Sequence, residues 1–405
     1  MVLALIIVAA KLGGELLGRL GQPPVLGELL VGVLLGNLPL FGITALEPLR
    51  NSSMLRVVAE IGAILLLFEV GVESDLFQLL AVGWSSLLVA TLGVIAPMIL
   101  GYIVSSQLLP DSSWLTHLFV GGTLTATSVG ITARVLKDLG KANTKEAQII
   151  LGAGITDDVI GLVVLAVVSG LVTAATATGS AASGVSAASI LWIVVKACVF
   201  LILAVVVGRF WSQRIFVHAA KLRVPGVLLG LCLCFCFVLA AISGFVGLAP
   251  IVGAFAAGIV LEEVHYQPFR ERGERKVEEL LFSITTLIVP VFFVMMGFRV
   301  DLKSFASPAV LGFAALITLV AIVGKQICGL GVLERGLNRL AIGVGMIPRG
   351  EVGLIFAGMG ATLTLAGKPI LSPTTFSALV MMIMLTTFIT PPLLKLAFER
   401  ERRRT

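Results

Sequence analysis

From Gln148 to Thr173 the chain is apolar for about two dozen residues, and the only charges in that run are two adjacent carboxylates, Asp157 and Asp158. At about 1.5 Å of rise per residue, a helix of this length crosses a bilayer once. A charge at the centre of a spanning helix costs roughly 2.5–3.5 kcal/mol even on lenient insertion scales, and here there are two. A chain keeps such a pair when it does something that lipid-facing leucines cannot. A small hard cation takes anionic oxygen ligands and a proton takes a carboxylate, so one pair can serve both in turn.

Similar runs recur along the whole chain, at roughly 2–20, 24–40, 54–72, 77–107, 115–136, 144–172, 188–211, 225–242, 246–262, 279–298, 305–333, 337–365 and 372–398. With 58% hydrophobic and 13% charged residues over 405, no soluble class fits. The expected fold is an all-α polytopic membrane protein of about 13 transmembrane helices. Met1 to Leu17 lacks a basic leader and a small-residue cleavage site and carries Lys11 and Glu15, so it reads as a first helix rather than a signal peptide. The net charge of +6 gives no argument for nucleic acid. What matters is where the basic residues lie. Arg134, Lys137, Lys141, Lys145, Arg209, Arg214, Lys221, Arg223, the 270–276 cluster, Arg335, Arg339 and the tail at 399–405 all fall in alternate loops. That bias puts the C-terminus in the cytoplasm and, with an odd number of spans, the N-terminus outside.

Five cysteines lie inside apolar segments, so no disulfide framework is expected, and Cys232, Cys234 and Cys236 read as packing rather than a metal site. The Gly/Ala/Ser/Thr stretch from Thr173 to Ser189 reads as a flexible outside linker. The mixed-charge run from Glu262 to Glu279 reads as a cytoplasmic loop or surface helix.

The two halves of the chain echo each other. Pro24, Gly27 and Gly32 match Pro250, Gly253 and Gly258 at an offset of 226. Gly71 to Leu76 matches Gly297 to Leu302 at the same offset, and Thr127 to Thr132 lines up with Gly350 to Ile355 at 223. Two five-helix repeats spanning 24–172 and 246–398 are expected, and an odd helix count inverts the second copy, with a midplane site between the halves. The third match is rich in breakers: hydroxyls and Gly130 in one copy, Pro348, Gly350 and Gly353 in the other. Both segments should interrupt their helices mid-membrane and cross. Arg349 and Glu351 would compensate the exposed helix ends, with Thr127 and Ser128 as oxygen donors beside the cavity.

Adjacent helical residues point about 100° apart, so Asp157 and Asp158 cannot both face one partner. The counter-charge is Lys325, the lone basic residue inside its span, which unpaired would lose its proton. The expected mechanism is competition: Na⁺ binds chiefly on Asp158, alters an Asp157–Lys325 pairing, and is displaced by protons after the bundle shifts.

These residues resemble a known family. Asp157 and Asp158, Lys325, the run Pro348 to Glu351 and the segment Pro24 to Asn37 are similar to bacterial Na⁺/H⁺ antiporters of the cation:proton antiporter-2 family, NapA-like members above all. The resemblance implies a thirteen-helix fold with a six-helix core and a dimerisation domain, the latter drawing on linker helices at 173–245. It implies that Asp157 partners Lys325 and Asp158 holds the ion, with elevator-like movement of the core. It also implies electrogenic exchange and a homodimer joined through 1–20 and 225–242. No cofactor is implied; Na⁺ (or Li⁺) and H⁺ are cargo, and the lipid bilayer is the remaining partner. The chain departs from relatives with a soluble nucleotide-binding tail in stopping at Thr405, and Thr156 precedes the pair in place of an apolar residue.

The alternatives are a K⁺/H⁺ antiporter of the same family and, in a different class, an ion channel, which would want a symmetric pore and a filter loop. An aspartyl protease needs two aspartates on different helices facing one water, which adjacent residues cannot supply. With no nucleophile or phosphate-loop motif either, the chain does not read as an enzyme.

Overall fold

The computed structural model describes residues 2–44, 46–73, 83–178, 187–222, 224, 226–261, 269 and 275–402. The helices are α1 Val2–Arg19, α2 Pro24–Gly36, α3 Ser53–Glu73, α4 Trp84–Leu108, α5 Trp114–Thr123, α6 Val129–Asp138 and α7 Lys145–Thr178. They continue as α8 Ala187–Ala219, α9 Val227–Phe245, α10 Pro250–Val260, α11 Val277–Phe298, α12 Pro308–Ile327, α13 Arg339–Gly345, α14 Glu351–Thr362 and α15 Pro373–Arg402. Each expected apolar run holds a helix, with α5–α6 and α13–α14 sharing one run apiece. Among the described residues, seven helices are long and apolar enough to cross a membrane unaided.

Helices α2 and α10 are short, 13 and 11 residues, about 20 and 17 Å at 1.5 Å per residue. From Ile251 to Val260 every residue of α10 is buried against other helices, so it meets protein rather than lipid. Both begin with proline in the first turn, where the missing N–H has no intrahelical partner to lose.

The repeat is visible as reciprocal packing. Gly32 on α2 is pressed against the carbonyl of Val294 on α11, and Gly258 on α10 against that of Phe68 on α3. Gly297 meets the carbonyl of Leu29, and Gly71 that of Phe255. Adding 226 to a residue of one copy gives its counterpart in the other, so each contact is made twice. A Cβ at any of the four would overlap backbone, which is why glycine stands there in both copies. The correspondence reaches one helix further than the five expected. Gly27 packs on the carbonyl of Gly13 in α1, and Gly253 on that of Leu239 in α9, again 226 apart. Thus α1 and α9 join the repeats as matching outer helices, and the lone α8 between them preserves the inversion.

Three expectations about connectors need correcting. Residues 173–178 continue α7 instead of beginning the linker. Alanine is the best helix former, and the Thr173 and Thr176 hydroxyls bond back to Ser169 and Val172 at 3.0 and 2.9 Å. Residues 179–186 of that linker lie outside the described residues, as do 74–82 and most of the 262–279 run. The basic tail at 399–402 continues α15, with 403–405 outside the described residues. Finally, Gly130 does not mark the first break. It lies within α6, and the break between the helices runs from Leu124, still in a turn, to Ser128.

Candidate functional site

Near the middle of the molecule, two unwound segments cross. The Ser128 amide donates to the Pro348 carbonyl at 2.7 Å, tying one segment to the other. Four half-helix ends therefore meet: α5 and α13 end here with exposed carbonyls, and α6 and α14 begin here with free amides.

Both carbonyl ends and the amide end of α14 are compensated. Arg349 is fully buried and serves the carbonyl end of α5: its Nε and one terminal nitrogen reach the Leu124 carbonyl at 3.1 and 2.6 Å. Its remaining donors reach Ala321 and Ile347 carbonyls at 3.1 and 2.8 Å. Guanidinium suits this task because it offers five donors in a fixed fork and stays charged when buried. The carbonyl end of α13 receives hydroxyls instead, Thr132 to Gly345 at 2.6 Å and Thr127 to Met346 at 3.4 Å. Glu351 opens α14, where a carboxylate suits the positive helix end, and accepts the Ser128 hydroxyl at 3.1 and 3.3 Å. Ser128 and Glu351 are counterparts in the two repeats, so this bond lies on the pseudo-twofold axis.

The crossing has room for glycine alone at position 350. A methyl group there would stand 2.7 Å from Ser128 Oγ and 2.8 Å from its Cβ. Ser128 cannot retreat because its amide is held by Pro348. Overpacking of this kind costs about 1–3 kcal/mol. Gly350→Ala is therefore expected to lower the thermal unfolding midpoint. Gly130→Ala, whose methyl meets nothing within 4 Å, is expected to leave it unchanged or raise it.

The carboxylates come from α7. Asp157 is 1% exposed, and its Oδ1 accepts the ammonium of Lys325, itself 0% exposed, at 3.0 Å. Lys325 comes from the last turn of α12. Gly93 on α4 packs beside the pair, its absent methyl 3.5 Å from the ammonium, which keeps α4 close and water out. Asp157 Oδ2 has no hydrogen-bond partner among the described residues. Asp158 points elsewhere. It is half-buried and lies within electrostatic reach of Asp157, Glu351 and Lys325.

A polar cavity of about 540 Å³ opens at the end of the molecule that carries the basic loops. It is lined by Ser85, Ser86, Lys145, Gln148 and Glu334 and extends to Gly152 and Ile155. Ile155 stands one turn before Asp158 on the same side of α7. Outside the spanning helices, the Ser85 hydroxyl bonded to Glu334 holds that carboxyl below the usual glutamate range, so the mouth keeps a negative charge. At the opposite end a cleft of about 300 Å³ is walled by Phe292, Met295, Met296, Ile355 and Met359, with Arg56, Glu60 and Arg299 also lining it.

All seven residues singled out in the sequence lie at or beside this crossing. Thr132, Gly93 and Thr387, which donates to the Arg349 carbonyl at 2.9 Å, were not foreseen. Thr132 belonged to the hydroxyl-rich stretch already noted; nothing in the sequence marked Gly93 or Thr387.

Comparison with known proteins supplies the context. A family model described as the transmembrane sodium/hydrogen exchanger matches residues 2–399. The chain is 38% identical to a high-affinity Na⁺/H⁺ antiporter of Synechocystis, covering 99% of this chain and 90% of that protein. It is 35% identical to a Na⁺/H⁺-K⁺ antiporter of Bacillus cereus, covering 98% and 95%. It is 32% identical to a Na⁺/H⁺ antiporter of Enterococcus hirae, covering 97% and 96%. Among solved structures, a sodium proton antiporter of Methanocaldococcus jannaschii shares the fold at a TM-score of 0.67 and 18% identity, over 96% of this chain and 94% of that one.

Proposed function

Since the chain belongs to the sodium/hydrogen exchanger family, we propose that it exchanges Na⁺ for H⁺ across the membrane, with the two ions competing for Asp158 and Asp157. The observation that carries this reading is the dry Asp157–Lys325 pair at 3.0 Å beside a half-buried second carboxylate. Lys325 and Arg349 set two cations against the three carboxylates of Asp157, Asp158 and Glu351. While Lys325 is protonated, one more positive charge completes the balance, and either a proton or a monovalent cation can supply it.

The basic loops orient that end toward the cytoplasm, with the N-terminus outside. Na⁺ then enters through the polar cavity and displaces the proton on Asp158. Drawing Asp157 toward the ion strips Lys325 of its counter-charge, and its proton leaves as well. More protons than Na⁺ move, so exchange is electrogenic. The crossing, with Thr127 and Ser128 at its centre and Arg349 and Glu351 fixing its ends, shifts as a unit to open the opposite cleft. The outer helices α1 and α9 supply the homodimer contact. Their exposed Leu5, Leu12, Leu16 and Phe237 support that reading.

A K⁺ reading has one specific support, the Bacillus cereus relative whose name includes K⁺. Sealed liposomes containing the purified protein and an internal pH dye separate the two. NaCl or LiCl is expected to move protons; a response to KCl alone would assign the K⁺ exchange, and none to any salt would refute antiport.

A further inference from the structure

The lone helix α8 does not pack flush on α9. Between them runs a groove of about 660 Å³ whose walls are apolar side chains from both helices, among them Val199, Leu203, Phe235 and Ile242. One charge lies in it, Lys196. Two exposed tryptophans bracket α8, Trp192 and Trp211. Their separation of 19 residues corresponds to about 28 Å, close to the roughly 30 Å hydrocarbon core of a bilayer. Tryptophan favours the membrane–water boundary, so this pair marks where each boundary falls on α8. Lys196 is then one turn inside the boundary set by Trp192, at the depth from which a lysine reaches the phosphate layer.

Lys196 has no acidic or hydrogen-bond partner among the described residues. Its ammonium lies against Gly247, just past the end of α9, where a methyl group would stand 3.4 Å away. An unpaired ammonium at the head of a long apolar groove, at the level of the lipid phosphates, has the form of an amphipathic anion's binding site. We propose that this groove holds an anionic phospholipid, its acyl chain lying along α8 and its phosphate on Lys196. Such a lipid would bridge the helix that connects the two repeats to the outer helix α9. The binding claim does not depend on the transport reading.

The test is lipid titration of the intact purified protein by native mass spectrometry, comparing phosphatidylglycerol with phosphatidylcholine. The wild type is expected to prefer phosphatidylglycerol by about fivefold, the scale of one basic side chain acting on an anionic headgroup. Lys196→Ala should abolish the preference, and Lys196→Arg should retain it. Val199→Trp, which fills the groove, should reduce retention of both lipids. Equal binding of the two lipids by the wild type would overturn the proposal, as would an unchanged preference in Lys196→Ala. If Val199→Trp alters only the oligomeric state and spares lipid retention, the groove belongs to a second copy of the chain and the proposal is wrong.

Discussion

Asp158→Asn is expected to abolish cation-driven proton movement while leaving the protein folded. The amide keeps the size and one oxygen ligand but removes the charge. For unit charges about 4 Å apart at an effective dielectric near 20, the attraction is about 4 kcal/mol. Losing it corresponds to roughly a 10²–10³-fold drop in cation affinity. The amide also cannot carry the exchanged proton, so neither half of the cycle survives. Because Asp158 is half-buried and, among the described residues, no hydrogen bond to another side chain holds it in place, the unfolding midpoint should barely move. Transport at the wild-type rate in Asp158→Asn liposomes would remove this residue from the site.

The second large effect is on stability. Lys325→Met leaves Asp157 as an uncompensated charge in a dry interior. Breaking a buried pair from one side costs roughly 3–5 kcal/mol. Replacing both partners removes the stranded charge together with its desolvation cost, so Asp157→Leu combined with Lys325→Met should recover most of the loss. A double-mutant cycle on the thermal unfolding midpoint, followed by tryptophan fluorescence in detergent, isolates the coupling. Additive losses in the cycle, or no loss in Lys325→Met, would mean the 3.0 Å contact contributes little. Both single variants and the double are expected to lose transport, which separates the structural role of the pair from its functional one.

The spans and the repeat were legible in the sequence because both depend on side-chain type. Apolar length marks a crossing, and glycines recur at a fixed offset because backbone meets backbone at Gly32, Gly71, Gly258 and Gly297 in both copies. Even so, the counterpart relation of α1 and α9 was missed. It rests on Gly13 facing Gly27 and Leu239 facing Gly253, and no residue type is shared between Gly13 and Leu239.

The breaks were found in the right segments but misplaced in detail. A glycine inside a helix costs only about 1 kcal/mol relative to alanine, so Gly130 is tolerated in α6. The non-helical run from Leu124 to Ser128 is imposed from outside, by the Pro348 carbonyl and the Arg349 guanidinium. Arg349 shows the limit most clearly. The sequence indicates that a buried arginine must find acceptors, but its acceptors are carbonyls of Leu124, Ala321 and Ile347, and a carbonyl looks the same in every residue. The carboxylates were similar. Helix geometry requires Asp157 and Asp158 to diverge, but which one faces Lys325 is decided by how α7 sits against α4 and α12.

The central claim is that one set of carboxylates holds either the cation or the proton. Its most direct test is the apparent Na⁺ affinity of the purified protein as a function of pH. Competition predicts that affinity falls by at least about tenfold per pH unit on the acid side, and more steeply where the Lys325 proton leaves with that of Asp158, and levels off on the alkaline side, as linkage between proton and cation binding requires. An affinity that stays constant across the acid range would contradict the account, because Na⁺ and H⁺ would then bind at separate places.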